Sequence, residues 1–588
     1  MQSLKTGNVQ IYAPDGARQE PDADDRQLLE LAEAYEEKDY HCQITVRKNW
    51  TVMYQLAESR VNLIEWLELE PGAEVLELGA GCGTITSALI KKGLRVTCQE
   101  ERLAYCKVNA LRHSQDPITI YALPLDQCLK MQERKYDVIF ALELPASEEG
   151  TRQLIGTLSG LLKPHGFLVL AVKNKFGLKY WAGNPQMDTH KYFAGLENAG
   201  VRMHSKSSLS KLLRENGLDF QEFYYPYPDE RFARDIYSDR YLPKKGDLNY
   251  NIVNYEGDRL LLFDEQKVFD SILEEGQFPF FANAYLCLAS AKERTVQEAS
   301  YTRYASDRSR EHAVRTQIVE ESVRKQAIYV QGAAHIAHIL QAYERLREQY
   351  ADTDLTFNKC AAGCDAQGNK YAQFERLHGQ ALQEQIGQAA ALGQMQKIFD
   401  ILRRMMQYIR SGGAGVPFTR TDDFTAVFGQ DADEAVLRQT ICSPVCDIDL
   451  ILENIIVDAD GKWNVIDYEW TFFFPVPQNF IIYRTLFFLN HENPDREELS
   501  MERLLEFAEI PAQEAAVYAR MEEAFQRYVT GGLVPYREMV NRMERRFFNV
   551  VQLKADYDRI AAQNELLKGK GIWKAVRKIK KKLTGDKE

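Results

Sequence analysis

A short stretch near residue 80 has the residue types and spacing of a ligand-binding turn. Residues 75–86 read VLELGAGCGTIT, an apolar strand ending near Glu77 that gives way to Gly79, Gly81 and Gly83 before a helix-like segment. Glycine lets the backbone take positive φ and approach a ligand closely, and the start of the following helix offers N–H groups without helical partners. The pattern predicts a site for a nucleotide-like ligand.

The acid at the end of the next strand predicts how that ligand is held. Glu100 follows Gly79 by twenty-one residues, a distance at which a carboxylate grips a ribose hydroxyl pair. The glycine spacing is not that of a dinucleotide fingerprint, and no lysine follows the turn, so a dinucleotide fingerprint and a P-loop are both excluded. The alternative is a tight turn in some other doubly wound domain, with Glu100 a solvated strand end.

A second polar set, far along the chain, has the chemistry of phosphoryl transfer. Within CDIDLILENIIVDADGKWNVIDYEW, residues 446–470, Asp449 and Asn454 stand five apart before one strand, and Asp467 ends the next. A hairpin delivers all three to one edge. Asp449 is the candidate catalytic group that orients a hydroxyl nucleophile, and Asn454 and Asp467 are hard oxygen ligands suited to Mg²⁺.

The elements that position the glycine turn form an α/β pattern. Strands alternate with helices such as 151–162, which predicts a mostly parallel sheet with helices on both faces. A helix-like lead over 56–67 precedes them. The predicted strands are 74–78, 94–99, 118–121, 137–142 and 166–172.

The elements around Asp449 follow another order. Strands come first and helices after, which indicates an α+β domain. The predicted elements are strands 301–304, 313–319 and 326–330, a long helix 335–349 and a strand pair around 370–375.

The last part of the chain is helical and basic. From residue 568 to the end it carries nine Lys or Arg and two acids, a net charge of +7, whereas the whole chain carries −12. Ile572, Val576, Ile579 and Leu583 fall on one helical face with lysines opposite, the pattern of a peptide lying on an anionic membrane surface through 568–583. A solvated or partner-bound helix is the alternative. The acidic body excludes general nucleic-acid binding.

Composition sets the wider limits. The 588 residues, 45% hydrophobic and 27% charged, are enough for two to four domains at about 150 residues each. Ten scattered cysteines and the lack of a charged-then-apolar leader lead us to expect a reducing, cytoplasmic setting. No apolar run reaches the roughly 18 residues of a membrane-spanning helix.

The glycine spacing, Glu77 and Glu100 together resemble the S-adenosylmethionine-dependent methyltransferases of the Rossmann-like class. The resemblance implies that the glycines lie against the methionine part of the cofactor and that Glu100 binds its ribose. The runs KNKFGLKYWAGNP (173–185), KYFAG (191–195) and FYYPYPDERF (223–232) look like segments of bacterial methyltransferases found with cell-surface polysaccharide biosynthesis.

These runs carry aromatic and cationic residues that we expect outside the carboxyl ends of the strands, where acceptors bind in open α/β sheets. Aromatic faces with a few cations suit a sugar or an anionic acceptor; the alternative is that most of these rings only cover the sheet. The residues are Phe176, Tyr180, Trp181, Tyr192 and Lys175. One departure from the resemblance is the end of the fourth strand, ALELPAS at 141–147.

The second polar set resembles the aminoglycoside-phosphotransferase branch of the protein-kinase-like fold, whose D-L-x-x-x-N matches Asp449 to Asn454 and whose metal-binding Asp matches Asp467. The resemblance implies ATP and Mg²⁺ as ligands. FERLHG at 374–379 looks like the interlobe hinge, and Glu344 is the candidate ion-pairing acid.

Three departures weaken this second resemblance. Asp447 stands where that family often has His, the hairpin 304–314 carries no glycine, and Lys325 is the nearest candidate for the strand lysine. Loss of that lysine would remove a phosphate contact. An inert or merely nucleotide-binding scaffold is therefore the alternative to phosphoryl transfer.

The whole order resembles bifunctional methyltransferase–kinases that modify bacterial surface polysaccharides. We predict a methyltransferase domain over 1–243, a kinase-like domain over 258–535 and a helical segment with a basic tail over 536–588. The implied partners are a surface-glycan or lipid-linked glycan acceptor, glycosyltransferases and the inner face of the cell membrane. Methylation of a protein or a small molecule is an open alternative.

Overall fold

The structure is a computed structural model and describes residues 1–16, 20–142, 148–186, 189–198, 203–251, 257–294, 298–365, 367–543, 546–569 and 571–584. The chain forms two compact units. Unit 1 comprises Met1–Val296 and Arg537–Glu588, and unit 2 comprises Gln297–Tyr536.

Unit 1 is built on a mixed sheet. Its strands are β1 Gln2–Thr6, β2 Val9–Ala13, β3 Glu74–Leu78, β4 Arg95–Gln99, β5 Thr119–Tyr121, β6 Tyr136–Ala141, β7 Leu162–Lys173, β8 Phe220–Tyr227, β9 Asp235–Ser238, β10 Arg259–Leu261 and β11 Ala284–Ser290. The sheet order is β1-β2-β5-β4-β3-β6-β7-β11-β8-β9. Neighbours from β2 to β7 run parallel, whereas β11 runs antiparallel to both β7 and β8.

The parallel strands are apolar because both of their faces are covered. Val75, Leu76 and Ile139 have no exposed surface, and residues 167–172 of β7 are all buried. The five predicted strands are confirmed within a few residues at each end. The predicted helix over 56–67 is wrong: an α-helix ends at Leu56, and a 3₁₀ turn, Glu58–Leu63, follows it.

The domain boundary differs from the predicted one. Residues 258–294 lie in unit 1 rather than in the second domain, because β11 pairs with β7 from Ala284↔Lys173 to Ser290↔Phe167 inside the first sheet. The sequence run YLCLAS after Ala284 is wholly buried, as a strand paired on both sides must be.

The helices of unit 1 lie before, between and after these strands in the sequence. They are α1 Ala23–Ala34, α2 Tyr40–Arg47, α3 Trp50–Leu56, α4 Thr84–Lys91, α5 Leu103–Arg112, α6 Leu125–Lys130, α7 Glu148–Leu161, α8 Leu178–Trp181, α9 Lys206–Glu215, α10 Glu265–Glu274 and α11 Phe278–Phe281. Asp22 caps α1 by accepting from the Asp25 backbone N–H at 2.8 Å.

Unit 2 begins with an antiparallel sheet ordered β12-β13-β14-β17-β16. Its strands are β12 Tyr301–Tyr304, β13 Val314–Val319, β14 Ser322–Ala327, β15 Thr356–Phe357, β16 Cys360–Cys364, β17 Lys370–Glu375, β18 Gln380–Ala381, β19 Val416–Pro417, β20 Ile441–Ser443, β21 Cys446–Asp447, β22 Ile455–Val457, β23 Trp463–Val465, β24 Thr471–Phe472 and β25 Val476–Pro477. The strand predicted at 326–330 begins four residues earlier, at Ser322, because β14 pairs with β13 in a tight hairpin closed at Val319↔Ser322.

The rest of unit 2 is mainly helical. Its helices are α12 Ala333–Gln349, α13 Leu382–Ala391, α14 Met395–Ser411, α15 Asp422–Phe428, α16 Glu434–Leu437, α17 Gln478–Glu492, α18 Met501–Phe507 and α19 Ala512–Thr530. Helix α20, Tyr536–Arg542, begins at the last residue of unit 2 and continues into the segment that belongs to unit 1. The long helix predicted at 335–349 is confirmed as α12. Two hairpin strands, β22 and β23, pair antiparallel and lead to Asp467. The sequence order of strands then helices is therefore reproduced.

The end of the chain is helical, as predicted. A short strand, β26 Phe547–Asn549, pairs in parallel with β10, and helices α21 Val550–Gly569 and α22 Ile572–Thr584 follow. On α22, Val576, Ile579 and Leu583 are exposed. Among the described residues, no helix is both long and apolar enough to cross a membrane.

Candidate functional site

The glycine turn of unit 1 connects β3 to α4 and needs its glycines. Gly79, Gly81 and Gly83 have φ of +67°, +54° and +82°, a region that side-chain-bearing residues rarely adopt. A Cβ on Gly81 would lie 2.6 Å from the Gln55 side-chain oxygen, and one on Gly83 would collide with Asn109. Over Gly79, by contrast, no heavy atom of the described residues lies within 4 Å of the Cβ position, so this backbone borders open space.

The predicted ribose acid lies against the turn. The Glu100 carboxylate accepts from the Gly81 N–H at 2.9 Å through one oxygen and from the Arg102 N–H at 2.8 Å through the other. The structure thus brings Glu100 and the glycines together, as the sequence predicted.

Glu77, predicted to bind cofactor, is engaged inside the protein. Its carboxyl is 2% exposed and accepts from the Thr86 hydroxyl at 2.6 Å, with the Cys98 Sγ 3.6 Å away. Burial raises the pKa of Glu77 to about 7. These contacts fix α4 against β3 and β4, so they make Glu77 a residue that positions the turn; its contact with a cofactor stays a prediction.

The sequence did not reveal three residues that hold the turn. Gln55 accepts from the Cys82 N–H at 3.1 Å, and Gln99 accepts from the Gly79 N–H at 3.2 Å. Arg112 donates to the Cys82 carbonyl at 2.8 Å. Gln99 could have been found from the sequence, because it directly precedes Glu100 at the strand end. Gln55 and Arg112 lie on the separate helices α3 and α5, and no sequence pattern pointed to them.

The acceptor-side aromatics mostly cover the protein. Phe176 stacks on Phe280 with ring centroids 4.6 Å apart, and the Tyr192 hydroxyl donates to a backbone carbonyl at 2.9 Å. Tyr180 is buried, whereas Trp181 is 42% exposed. Trp181 is therefore the ring of this group most open to an acceptor.

The same runs bury a group of charges that the sequence did not single out. Asp229 accepts from Lys179 at 3.0 Å and from Arg231 at 2.8 Å, and all three side chains are at most 4% exposed. The neighbouring cations hold the pKa of Asp229 below its usual range, while burial and Asp229 raise the pKa of Glu230. Residues 143–147, which hold most of the departure at the fourth strand, lie outside the described residues.

In unit 2 the three predicted site residues meet. The Asn454 side-chain N–H donates to the Asp449 carbonyl at 2.9 Å, and the Ile466 N–H donates to the Asn454 carbonyl at 2.8 Å. Asp467 follows at a φ of +54°, a strained conformation for a residue with a Cβ. This geometry brings Asp449, Asn454 and Asp467 to the hairpin edge that the sequence predicted.

Asp449 is held by an arginine that the sequence analysis missed. Arg484 of α17, 3% exposed, pairs with Asp449 and also with Glu522, at 2.7 Å. Burial raises the pKa of Asp449 and Arg484 opposes that shift. Asp447, where the resembling family often has His, accepts from the Asp449 N–H at 3.0 Å. Asp447 therefore fixes the backbone that carries Asp449.

Lys325, the candidate for the strand lysine, lies on β14. Its Nζ pairs with Asp467 and lies 3.3 Å from Glu469. Glu344, the candidate ion-pairing acid, is not its partner: the Glu344 side chain is 56% exposed and pairs with Arg347 one turn along α12. A helical acid on the solvent face cannot reach a buried lysine, so this assignment is corrected to Asp467 and Glu469.

Comparisons with known proteins find sequence relatives for part of the chain. No family model matches it. It is 24% identical over 183 residues to the ubiquinone biosynthesis O-methyltransferase of Leptothrix cholodnii, covering 29% of this chain and 74% of that protein. It is 26% identical over 160 residues to the enzyme of the same name from Rickettsia canadensis, covering 25% of this chain and 64% of that one.

A solved structure of the bifunctional kinase-methyltransferase WbdD covers 84% of this chain and 89% of its own, with 12% identity and a TM-score of 0.22. A TM-score this low does not establish a shared fold.

The class follows from the curated relatives together with the glycine turn and the sheet. The chain is an enzyme of the S-adenosylmethionine-dependent methyltransferase class. Unit 1, with parallel strands β5-β4-β3-β6-β7 and the antiparallel β11, has the Rossmann-like sheet on which that class is built.

Proposed function

We propose that unit 1 transfers a methyl group from S-adenosylmethionine to a bacterial cell-surface polysaccharide or its precursor. The proposal that unit 1 binds S-adenosylmethionine rests on the geometry at the end of β3, where Gly79, Gly81 and Glu100 form a cradle. There, Gly79 borders open space while the Glu100 carboxylate lies 2.9 Å from the Gly81 N–H. A nucleoside with two vicinal hydroxyls fits a carboxylate beside an unobstructed backbone.

The residues of the chain act by placing the reactants. S-adenosylmethionine would supply an electrophilic methyl group on its sulfonium. Glu100 would hold the ribose, and the glycines would let the backbone run against the methionine part. Holding an acceptor oxygen in line with the methyl group would lower the barrier by placement. As the O–CH₃ bond forms, the S–CH₃ bond would break, S-adenosylhomocysteine would leave, and an acceptor hydroxyl would lose its proton to water.

The glycan acceptor is supported by the runs 173–185, 191–195 and 223–232 and by the exposed ring of Trp181. Aromatic faces suit sugar rings. Incubating the full chain and labelled S-adenosylmethionine with lipid-linked glycans extracted from bacterial membranes tests this assignment. Label in the glycan fraction supports it, whereas label only in protein or small-molecule fractions contradicts it.

Cofactor binding is tested with a pair of glycine variants. Gly79 and Gly217 both have positive φ, +67° and +75°, and both face open space, so Val at either site imposes similar backbone strain. We expect Gly79→Val to abolish S-adenosylmethionine binding in calorimetry, because its side chain enters the cradle. Gly217→Val should bind as the wild type does; equal binding by a folded Gly79→Val protein would refute the pocket.

We propose as a second activity that unit 2 is a kinase-like domain with a Mg²⁺–nucleotide site. The convergence of Asp449, Asn454 and Asp467 at one hairpin edge, with Lys325 at Asp467, supports it. Carboxylate and amide oxygens suit Mg²⁺. The rival is a scaffold that binds a glycan or a partner enzyme, and Mg²⁺-dependent ATP turnover with the glycan acceptor present separates the two.

We also propose that α22 holds the enzyme on the inner face of the cell membrane, beside glycosyltransferases that make its acceptor. Val576, Ile579 and Leu583 are 45%, 57% and 80% exposed on one face, with basic residues on the other. Such a helix lies in the headgroup region of anionic membranes.

A further inference from the structure

The hairpin between β12 and β13 has an unusual way of meeting the predicted nucleotide site. Its loop, residues 305–313, contains no glycine. The Ser309 N–H donates to the Val529 carbonyl at 2.9 Å, and the His312 and Ala313 N–H groups both donate to the Ser309 carbonyl. These backbone donors are therefore committed inside unit 2 and are not presented to a ligand.

The loop instead contributes a side chain. Arg308 reaches Glu469, two residues beyond Asp467, with its guanidinium 2.8 Å from the carboxylate. The Arg308 side chain is 23% exposed, whereas Glu469 is 3% exposed. Arg308 thus stands between the buried acid and solvent.

A second cation comes to the same acid from another element. Lys325, on β14, lies 3.3 Å from the other Glu469 oxygen and pairs with Asp467. The two cations hold the pKa of Glu469 well below its usual value, and Glu469, Asp467 and Asp449 all raise the pKa of Arg308. Arg308, Lys325 and the three acids therefore share one electrostatic site.

The charge balance of this site changes when a metal binds. Without a metal, Arg308 and Lys325 face the two carboxylates of Asp467 and Glu469. A divalent cation on Asp467 takes up that carboxylate and leaves two cationic side chains with the single charge of Glu469. The surplus positive charge attracts an anion that the metal can bridge, such as a nucleotide polyphosphate.

We propose that Arg308, together with Lys325, binds the terminal phosphates of a Mg²⁺–nucleoside triphosphate, in place of the backbone N–H groups that a glycine-rich hairpin would offer. This inference rests on the second activity proposed above for unit 2. The planar guanidinium offers two parallel N–H donors to a phosphate, which an ammonium group cannot do.

The test is calorimetry on the full chain with Mg²⁺–ATP and Mg²⁺–AMP. Arg308→Ala should weaken ATP binding at least 30-fold and change AMP binding less than 2-fold, because AMP lacks the terminal phosphates. Arg310→Ala is the matched control in the same loop, where Arg310 lies over the Tyr329 ring at 4.3 Å, and it should bind ATP as the wild type does.

A second variant covers the case in which Arg308→Ala fails to fold. Arg308→Lys keeps the charge toward Glu469 but loses the fork, so it should fold and weaken ATP binding about 3- to 10-fold. Wild-type ATP affinity in the folded Ala or Lys variant, or equal loss of ATP and AMP, would overturn the inference. If the wild-type chain binds neither nucleotide, the proposed second activity fails and this inference fails with it; if only the variants disagree, the second activity stands.

Discussion

The glycine turn of unit 1 and the hairpin of unit 2 face their proposed ligands in opposite ways. The turn uses three glycines at positive φ and leaves the backbone at Gly79 open. The hairpin has no glycine, commits the N–H groups of Ser309, His312 and Ala313 to protein carbonyls, and extends Arg308 instead. One site is built from backbone, the other from side chains.

This difference decides what each site tolerates. The glycine turn depends first on space, so a side chain at Gly79 is harmful, and the charge of Glu100 adds a moderate contribution. A side-chain site depends on charge balance, so removing one acid or cation changes all its neighbours. The following predictions test that contrast.

Among changes to charged residues, removing Asp467 should have the largest effect. Asp467→Ala should weaken Mg²⁺-dependent ATP binding at least 100-fold, because Mg²⁺ needs a carboxylate to offset its dehydration and Lys325 loses a partner. Calorimetry on the full chain measures it, and Asp460→Ala in the exposed turn is the control. S-adenosylmethionine binding should not change; a parallel loss of both ligands would remove the distinction between the two sites.

The buried acid beneath the glycine turn should make unit 1 sensitive to pH. The folded-state pKa of Glu77 is about 7 and its unfolded value about 4.5, so the folded state binds the proton more tightly. The stabilising contribution is complete below pH 4.5 and is lost as pH rises through 7, a change of about 3 kcal/mol.

Glu77→Gln should flatten that profile in denaturant titrations of the full chain between pH 4.5 and 8, since the amide oxygen keeps the Thr86 hydrogen bond without a charge. Glu74→Gln, at the half-buried start of the same strand, should keep the wild-type profile. An unchanged profile in Glu77→Gln would show that Glu77 does not titrate in this range.

The acid beside the turn should contribute a moderate share of cofactor binding. Glu100→Ala should weaken S-adenosylmethionine binding by about 1.5–3 kcal/mol, the range for hydrogen bonds to a charged group. Calorimetry measures it, with the exposed neighbour variant Glu101→Ala as control. Equal affinities of the two variants would leave the cradle as backbone alone and would sharpen the contrast further.

The tail should show the smallest effect per residue, because its charges belong to neither site. Each of Lys574→Gln and Lys581→Gln should weaken binding to vesicles of anionic lipid by about 1 kcal/mol, and salt should release the wild type. Flotation measures it. Undiminished binding by a chain truncated after Leu567 would exclude α22 as the membrane contact.

Elements that depend on local pattern could be predicted from the sequence. Strand β3 and the glycines after it are encoded in one contiguous run, because hydrophobic burial and positive φ act on neighbouring residues. Glu100 could be placed because a parallel neighbour of fixed length brings it to the same edge. The trio Asp449, Asn454 and Asp467 was equally readable, since one hairpin delivers it.

Contacts between distant segments could not be predicted from the sequence, because they depend on how the whole chain folds. The place of β11 in the first sheet moved the domain boundary, because strand pairing is set by the whole sheet and not by residues 284–290. Lys325 pairs with Asp467 and Glu469 and not with Glu344, which pairs with Arg347. Arg484 pairs with Asp449, which lies 35 residues away in the sequence. Such ion pairs form where folding buries opposite charges close together. The spacing of the residues along the sequence does not predict which of them will pair.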